Sequence, residues 1–306
     1  MSRVTLLDGG MGQELLRRHG APVSPLWATQ VMLDRPGLVA EVHRDYADAG
    51  ATVATTNTYA IHRDRLRGGA SNHYAADGSE LPDLEAKFAD LHRAALDEAG
   101  AVRDRGRIAG SIGPLGASYR ADLHPDEADA IPLYAEVAKI LAPSVDLLLF
   151  ETIPSLSAAR ACLAAGRQTD RPVWLAFTVD DEDGTSLRSG EPLAEAASIA
   201  GEADAVLANC SAPEAMPAAL DAMSVAGVPF GAYANAFTTL TKEYVAGGST
   251  AAALSARRDM GPEAYADHVM RWVERGATIV GGCCETRPAH IGEIARRLRA
   301  AGHEIA

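Results

Sequence analysis

The sequence predicts an α/β fold, a (βα)8 TIM barrel in a single domain that spans residues 1–306. Short apolar runs rich in β-branched residues recur along the chain, and a segment with helical periodicity follows each of them. The runs are continuously apolar, which indicates strands that are buried on both faces and paired in parallel. Eight such units in 306 residues are typical of this barrel.

The eight predicted strands lie at residues 4–8, 51–57, 107–112, 145–151, 172–178, 205–210, 228–235 and 277–283. The amphipathic segments that predict helices lie at 36–49, 83–103, 126–142, 156–166, 191–200, 213–226, 262–275 and 288–301. Gly50, Gly227 and Gly276 end three of the helical segments, where a left-handed C-cap is expected. The irregular insertions are predicted loops, candidates for lids over the barrel, at 67–82, 179–190 and 236–259.

An open, doubly wound sheet is the alternative architecture. It would carry a Gly-x-Gly-x-x-Gly motif between its first strand and first helix. The nearest match is the stretch from Asp8 to Gly12, which lacks that spacing. The barrel is therefore favoured.

Composition excludes several classes of protein. With 47% hydrophobic and 23% charged residues, and no apolar run near ~18 residues, the chain has the composition of a globular protein without a membrane span. Its 28 basic and 41 acidic residues give a net charge of -13, which opposes binding to nucleic acid and to anionic membranes. The N-terminus has no signal-peptide pattern, so we expect a cytoplasmic protein with reduced cysteines.

Polar side chains end nearly every predicted strand. In a parallel barrel these ends gather at the face where active sites lie. The residues at the eight ends are Asp8, Thr56, Asn57, Ser111, Glu151, Thr178, Cys210, Asn235, Cys283 and Cys284.

The cysteines predict a metal site. Cys210 alone would be read as a small buried apolar residue, but the adjacent Cys283 and Cys284 can converge with it where the eighth strand ends and the chain turns. Three thiolates suit a soft tetrahedral cation, and zinc is the natural choice. The fourth position would stay open for water, a protein oxygen or substrate, as in a catalytic zinc site. Cys162, within a predicted helix, is interpreted as packing.

Two predicted strand-end carboxylates each have two possible roles. Glu151 ends a buried strand, where it needs either a substrate ammonium or an internal ion pair with Arg or Lys. Asp8 has the same ambiguity. The free N–H groups of residues 9–12 either bind an anion such as a carboxylate or simply form a tight glycine-rich turn.

The chain resembles the homocysteine S-methyltransferase family over roughly residues 4 to 300. The motifs that carry the resemblance are 8–15 (DGGMGQEL), 55–59 (TTNTY), 110–114 (GSIGP), 150–154 (FETIP), 208–210 (ANC) and 281–284 (GGCC). The resemblance implies a (βα)8 barrel in which zinc, on Cys210, Cys283 and Cys284, binds the thiolate of homocysteine.

The resemblance also implies roles for other residues. Asp8 and Glu151 would hold the homocysteine ammonium. Its carboxylate would lie on the backbone of Gly9 and Gly10, with Thr56 and Asn57 nearby. Asn235 would lie close to the zinc and could fill its open position before substrate arrives.

The donor is expected to be a small cation that leaves as a neutral molecule, because zinc prepares the thiolate and no general acid is needed. At 306 residues the chain has no room for the extra domains of folate- and cobalamin-dependent enzymes, so S-methylmethionine or S-adenosylmethionine is expected, with a betaine-type or dimethylsulfonio compound second.

Glu285 stands where relatives usually have Gly, and Ala234 where Pro is frequent. Glu285 could attract a cationic donor.

Two other classes remain open at this stage. One is a metal-free barrel enzyme with a cysteine nucleophile, which would need a His or Lys base at a strand end. The other is a non-catalytic zinc- or thiol-binding scaffold, for which a fourth protein ligand is expected.

Overall fold

Strands and helices alternate along the chain in a computed structural model, which describes residues 2–20, 26–67, 83–238 and 255–306. Nine strands are present in these ranges: β1 (Arg3–Leu6), β2 (Val53–Thr55), β3 (Arg107–Ile112), β4 (Leu147–Ile153), β5 (Val173–Phe177), β6 (Ala205–Asn209), β7 (Phe230–Tyr233), β8 (Ile279–Val280) and β9 (Glu304–Ile305).

Eleven α-helices lie in the same described ranges. They are α1 (Met11–His19), α2 (Ala28–Asp34), α3 (Leu38–Ala49), α4 (Arg63–Leu66), α5 (Phe88–Ala99), α6 (Glu127–Leu141), α7 (Leu156–Gly166), α8 (Leu193–Ala200), α9 (Met216–Met223), α10 (Pro262–Glu274) and α11 (Pro288–Ala300). None of the described helices is long and apolar enough to cross a membrane.

All paired strands run parallel, in the order β2-β3-β4-β5-β6-β7-β8-β1-β9. The ring closes between β1 and β2, where Leu7 bridges Val53 and the Thr52 N–H donates to the Leu6 carbonyl at 2.7 Å. β9 pairs with the first half of β1. Carbonyls two residues apart on a strand point the same way, so β9 lies on the same edge of β1 as β2 and fills the lower part of the seam. The predicted α/β barrel is confirmed.

The predicted strands all form, with shifted ends. β3 matches its predicted range, β4 continues two residues further to Ile153, and β8 is only two residues long. The strand β9 and the helices α1, α2 and α4 were not among the predicted elements, and β9, α2 and α4 are too short to carry much periodicity. Of the three predicted loops, 179–190 lies within the described residues, whereas most of 67–82 and of 236–259 lies outside them.

Three glycines end their helical segments as predicted. Gly50, Gly227 and Gly276 have φ values of 114°, 72° and 97°, in the left-handed region that glycine adopts without steric cost. The turns they form return the chain to β2, β7 and β8.

Side chains point alternately to the two faces of each strand and so form two hydrophobic clusters, one inside the barrel and one between the strands and the helices. On β4, Leu148 and Phe150 pack outward against the helices, whereas Leu147 and Leu149 belong to an inner cluster with side chains of the other strands. The same alternation continues to the carboxyl ends of the strands, so every second residue there also faces the barrel interior. Glu151 is the next inward position on β4, so the barrel places a carboxyl in its own interior.

Candidate active site

Three sulfur atoms converge at the carboxyl end of the barrel. Cys210 directly follows β6, and Cys283 and Cys284 lie beyond β8. Their Sγ atoms all lie within 4.8 Å of one another, and those of Cys210 and Cys284 are 3.7 Å apart. A tetrahedral zinc ion with bonds of ~2.3 Å to sulfur separates two sulfur ligands by ~3.8 Å. The cluster therefore fits one soft cation with little rearrangement.

Glycines allow the cysteine pair to approach the first strand. A Cβ on Gly10 would lie 2.7 Å from the Cys283 carbonyl oxygen, and one on Gly281 would lie 2.6 Å from Cβ of Leu7. The turn after the pair is closed by Thr286, whose N–H donates to the Cys283 carbonyl at 3.1 Å. The predicted turn after β8 thus brings both neighbouring thiols to one place.

The three thiols share protons unequally. Hydrogen bonds from Cys283 and Cys284 hold the pKa of Cys210 well below its usual range. The same interactions raise the pKa of Cys283 and Cys284 well above theirs. In the metal-free cluster Cys210 is therefore the thiol that loses its proton most easily, and a bound divalent cation would displace the protons of all three thiols.

Glu151 lies inside the barrel and is 8% exposed. It accepts hydrogen bonds from the hydroxyl of Ser111 on β3 and, at 3.0 Å, from that of Tyr233 on β7. Burial outweighs these bonds and raises the pKa of Glu151 to about 7. Within the described residues no Arg or Lys pairs with it, so the internal ion pair considered above does not form there.

Asp8 is the second buried carboxyl. Its two oxygens accept from the N–H and the hydroxyl of Thr55, both at 2.8 Å. Burial raises the pKa of Asp8 to about 7, and the charge of nearby Glu151 adds to the increase. Among the described residues neither carboxyl has a cation partner, and two such groups close together suit a positively charged ligand.

Thr56 and Asn57 both make hydrogen bonds that support the site. The Thr56 hydroxyl accepts from the Ser111 N–H at 3.0 Å, and so orients the residue that donates to Glu151. The Asn57 amide donates to the Ala28 carbonyl at 3.3 Å, which ties the end of β2 to α2. Their predicted closeness to substrate remains a prediction.

The backbone N–H groups that follow Asp8 are partly engaged in hydrogen bonds within the protein. The Gly10 N–H donates to the Thr286 carbonyl at 2.9 Å, so it is engaged before any ligand binds. At Gly9 an added Cβ would lie 2.8 Å from the Tyr46 ring, which requires glycine there. The Gly10 N–H thus holds the start of α1 against the turn that carries Cys283 and Cys284. A carboxylate site at these glycines remains a prediction.

Asn235 follows β7 and is 2% exposed. Its Oδ1 accepts from the Phe237 N–H at 3.2 Å, and its Nδ2 has no hydrogen-bond partner among the described residues. An amide ligates a metal through oxygen. The oxygen is thus committed to a local turn here, and a role as resting ligand stays a prediction.

Asn209 connects the carboxyl site to the sulfur site. Its Oδ1 accepts from the Thr152 N–H at 2.9 Å, and its Nδ2 donates to the Thr152 hydroxyl at 3.1 Å. Thr152 directly follows Glu151 and has a φ of 60°, and Cys210, next to Asn209, has a φ of 48°. The Asn209 side chain therefore supports the strained backbone of Thr152, and the next residue after β6, Cys210, is a second strained position.

Sequence reasoning missed the groups that orient the two carboxyls and one sulfur. Thr55 and Tyr233 lie at inward positions of β2 and β7, and that alternation was a usable signal. Tyr119, which contacts Cys210, lies in a loop, where no pattern marked it.

Comparisons with known proteins agree on one family. The family model described as homocysteine S-methyltransferase matches residues 5–298. The chain is 31% identical to homocysteine S-methyltransferase 4 of Zea mays, over 98% of this chain and 90% of the relative. It is also 31% identical to a selenocysteine methyltransferase of Astragalus bisulcatus, over 97% and 93%. The metallated form of the homocysteine methyltransferase MmuM from Escherichia coli superposes with a TM-score of 0.74 and 27% identity, and 96% of each chain is covered.

Proposed function

Because the chain belongs to the homocysteine S-methyltransferase family, we propose that it transfers a methyl group from a small cationic donor to the sulfur of homocysteine, giving methionine. The whole chain, residues 1–306, would form one homocysteine-binding barrel. The observation that carries the proposal is the convergence of a three-sulfur cluster and two buried carboxyls at one end of the barrel.

The proposed acceptor matches the site group by group. Homocysteine carries a thiol, an ammonium and a carboxylate. The cluster of Cys210, Cys283 and Cys284 suits the sulfur end. Glu151 and Asp8 suit the ammonium, because a cation between two buried carboxyls relieves the desolvation that raises the pKa of each to about 7.

The remaining group of the acceptor is its carboxylate. We assign it to the N-terminal end of α1, where Gly9 precedes the helix and the helix dipole favours an anion. Thr56 lies at the neighbouring end of β2 and completes the predicted position. The Gly10 N–H, already bonded to Thr286, is not needed for it.

Zinc is the metal we propose at the three cysteines, because an all-sulfur donor set selects a soft ion. When bound, it would deprotonate a coordinating thiol and hold it as a thiolate at neutral pH. The protein's own contribution is orientation. The hydrogen bond from the Cys210 N–H to the Tyr233 carbonyl and the turn closed by Thr286 support a metal site whose sulfurs are oriented in advance.

The donor we propose is S-methylmethionine or S-adenosylmethionine, with a betaine-type or dimethylsulfonio compound as the alternative. A sulfonium or quaternary ammonium departs as a neutral group, so the site needs no proton donor for it. Tyr119 and Phe237 pack against Cys210 and Cys284, and aromatic faces attract such cations. A donor methyl group delivered beside these rings would lie near the acceptor sulfur.

The metal-free cysteine nucleophile is disfavoured. Among the described residues, no His or Lys hydrogen-bonds to Cys210, Cys283 or Cys284, so the base that such a mechanism needs is not in place. Because the enzyme would work with reduced cysteines, we also propose a cytoplasmic location.

A panel of methyl donors with homocysteine tests the function. Purified protein loaded with zinc is incubated with each donor, and methionine is measured by mass spectrometry. Cysteine and selenocysteine replace homocysteine in parallel, since one relative is named for a selenium acceptor. Methionine is expected with a sulfonium donor, and its absence with every donor would refute the proposed activity.

A further inference from the structure

Tyr119 covers one of the three sulfurs. It lies in the loop between β3 and α6, is 7% exposed, and packs with Cys210, Cys284 and Phe237. Its hydroxyl oxygen lies 2.9 Å from Sγ of Cys210. The sulfur of a metal-bound cysteine carries no proton, so the tyrosine hydroxyl would donate to Cys210 when the three cysteines hold a metal. In the described part of the chain, no hydroxyl hydrogen-bonds to the sulfur of Cys283 or of Cys284.

The loop holds Tyr119 in an unfavourable backbone conformation to make this contact. Its φ is 67°, which costs a non-glycine residue on the order of 1 kcal/mol. The neighbouring Ser118 is anchored by a 2.7 Å hydrogen bond to the Tyr59 hydroxyl, and the Arg120 N–H closes the turn onto Ala117 at 3.2 Å. The strain is retained because the surrounding contacts determine the position of the ring.

The Tyr119 ring also has a cationic neighbour. The Arg188 guanidinium lies 5.6 Å from the ring centroid, and it is itself held by a buried ion pair to Asp181 at 2.8 Å. A cation at a phenol ring makes its hydroxyl a better hydrogen-bond donor, because it withdraws electron density from the ring. The arrangement therefore strengthens the bond from Tyr119 to Cys210.

We propose that Tyr119 is a positioning residue for methyl transfer, which acts by donating a hydrogen bond to the Cys210 sulfur. This inference rests on the proposed function. Three thiolates place more negative charge around a divalent cation than it can balance. A donor on one of them withdraws part of that charge, so the open position attracts the incoming sulfur of homocysteine more strongly. If Tyr119 served packing alone, phenylalanine would do equally well.

The test uses cobalt in place of zinc, since cobalt–sulfur charge-transfer bands report the charge on the sulfurs. Tyr119→Phe removes the hydroxyl and keeps the ring. We expect the variant to bind one cobalt, to show its charge-transfer band at longer wavelength, and to bind homocysteine about three- to tenfold more weakly, because the lost hydrogen bond to Cys210 acts on the open position only indirectly. Replacing Tyr119 with p-aminophenylalanine keeps a weaker donor and should give an intermediate band position.

Ser118→Ala is the matched control, because it loosens the same loop through the Tyr59 contact and leaves the Tyr119 hydroxyl in place. The band should not move in this variant. If Ser118→Ala moves the band as Tyr119→Phe does, or if Tyr119→Phe and the p-aminophenylalanine protein both keep the unaltered band, the inference is wrong. If the unaltered protein binds no cobalt at its cysteines, the proposed metal site itself fails.

Discussion

The hydroxyl of Tyr233 on β7 donates a 3.0 Å hydrogen bond to Glu151 on β4. Two strands separate β4 from β7 in the sheet, so this bond crosses the interior of the barrel. Ser111 on β3 holds the other carboxyl oxygen. A carboxyl held from opposite walls is fixed in position before a ligand arrives, and this rigidity favours selective binding of one cationic group.

The buried carboxyls should make the ligand-free protein less stable at high pH. Folding raises the pKa of Glu151 from 4.5 to about 7. The protonated carboxyl therefore contributes its full stabilisation of the fold below pH 4.5, and this stabilisation is lost as the pH rises through 7. Glu151→Gln removes this penalty, and its advantage over the unaltered protein should grow by about 2 kcal/mol between pH 5 and pH 8. Urea unfolding of metal-free protein at both pH values measures it. An advantage that is the same at both pH values would contradict the assignment.

The same carboxyls should determine acceptor affinity. Glu151→Gln and Asp8→Asn each remove one charge from the proposed ammonium site, and each should raise KM for homocysteine about 10- to 100-fold, the cost of losing a hydrogen bond between charged groups. Steady-state kinetics with varied homocysteine measures this. Glu127→Gln, which breaks the surface ion pair to Arg160, is the control and should leave KM unchanged. Equal KM values for all three variants would remove Glu151 and Asp8 from the site.

The cysteine cluster should account for all tightly bound metal. Cys283→Ser is expected to lower the zinc content from about one ion per chain to almost none, because two sulfurs do not form a closed site. Cys162→Ala is the control: this thiol is buried in α7, outside the cluster, and its loss should leave the metal content intact. Elemental analysis after dialysis gives the result. Retention of zinc by Cys283→Ser would exclude the proposed ligand set.

Replacing Glu285 with glycine should make the folded protein more stable. Its φ is 62°, which glycine adopts without strain, so Glu285→Gly should raise the free energy of unfolding by about 1 kcal/mol. Glu285→Gln keeps the backbone cost and removes the charge, and it tests the hypothesis that this carboxyl attracts a cationic donor. A higher KM for the donor is expected from Glu285→Gln. Unchanged donor affinity would leave Glu285 without a part in donor binding.

The link between Asn209 and Thr152 should appear as coupling between two substitutions. Asn209→Ala leaves the left-handed Thr152 without its two hydrogen bonds and should lower both stability and activity. Thr152→Gly adopts the same backbone freely, so the second substitution should recover part of the loss, with a coupling energy of about 1 kcal/mol. Unfolding and kinetics of the double-mutant cycle measure it. Strictly additive effects would show that Asn209 does not act through Thr152.

The chain's own pattern predicts much of this protein. Continuous apolar runs predict the eight main strands, and the rule that strand ends gather on one face predicts that Cys210, Cys283, Cys284, Glu151 and Asp8 share a site. The strand prediction succeeds because alternation along a strand is visible in local sequence and the regular order of strands and helices implies parallel pairing.

The tertiary structure alone decided which groups support those residues. Tyr233 and Glu151 are 82 positions apart, and Tyr119 and Cys210 are 91 apart. The first pair meets only because the sheet closes into a ring, and the second because a loop accepts a left-handed backbone. Neither ring closure nor loop conformation is encoded in a local pattern, so contacts that depend on them become visible only in the folded chain.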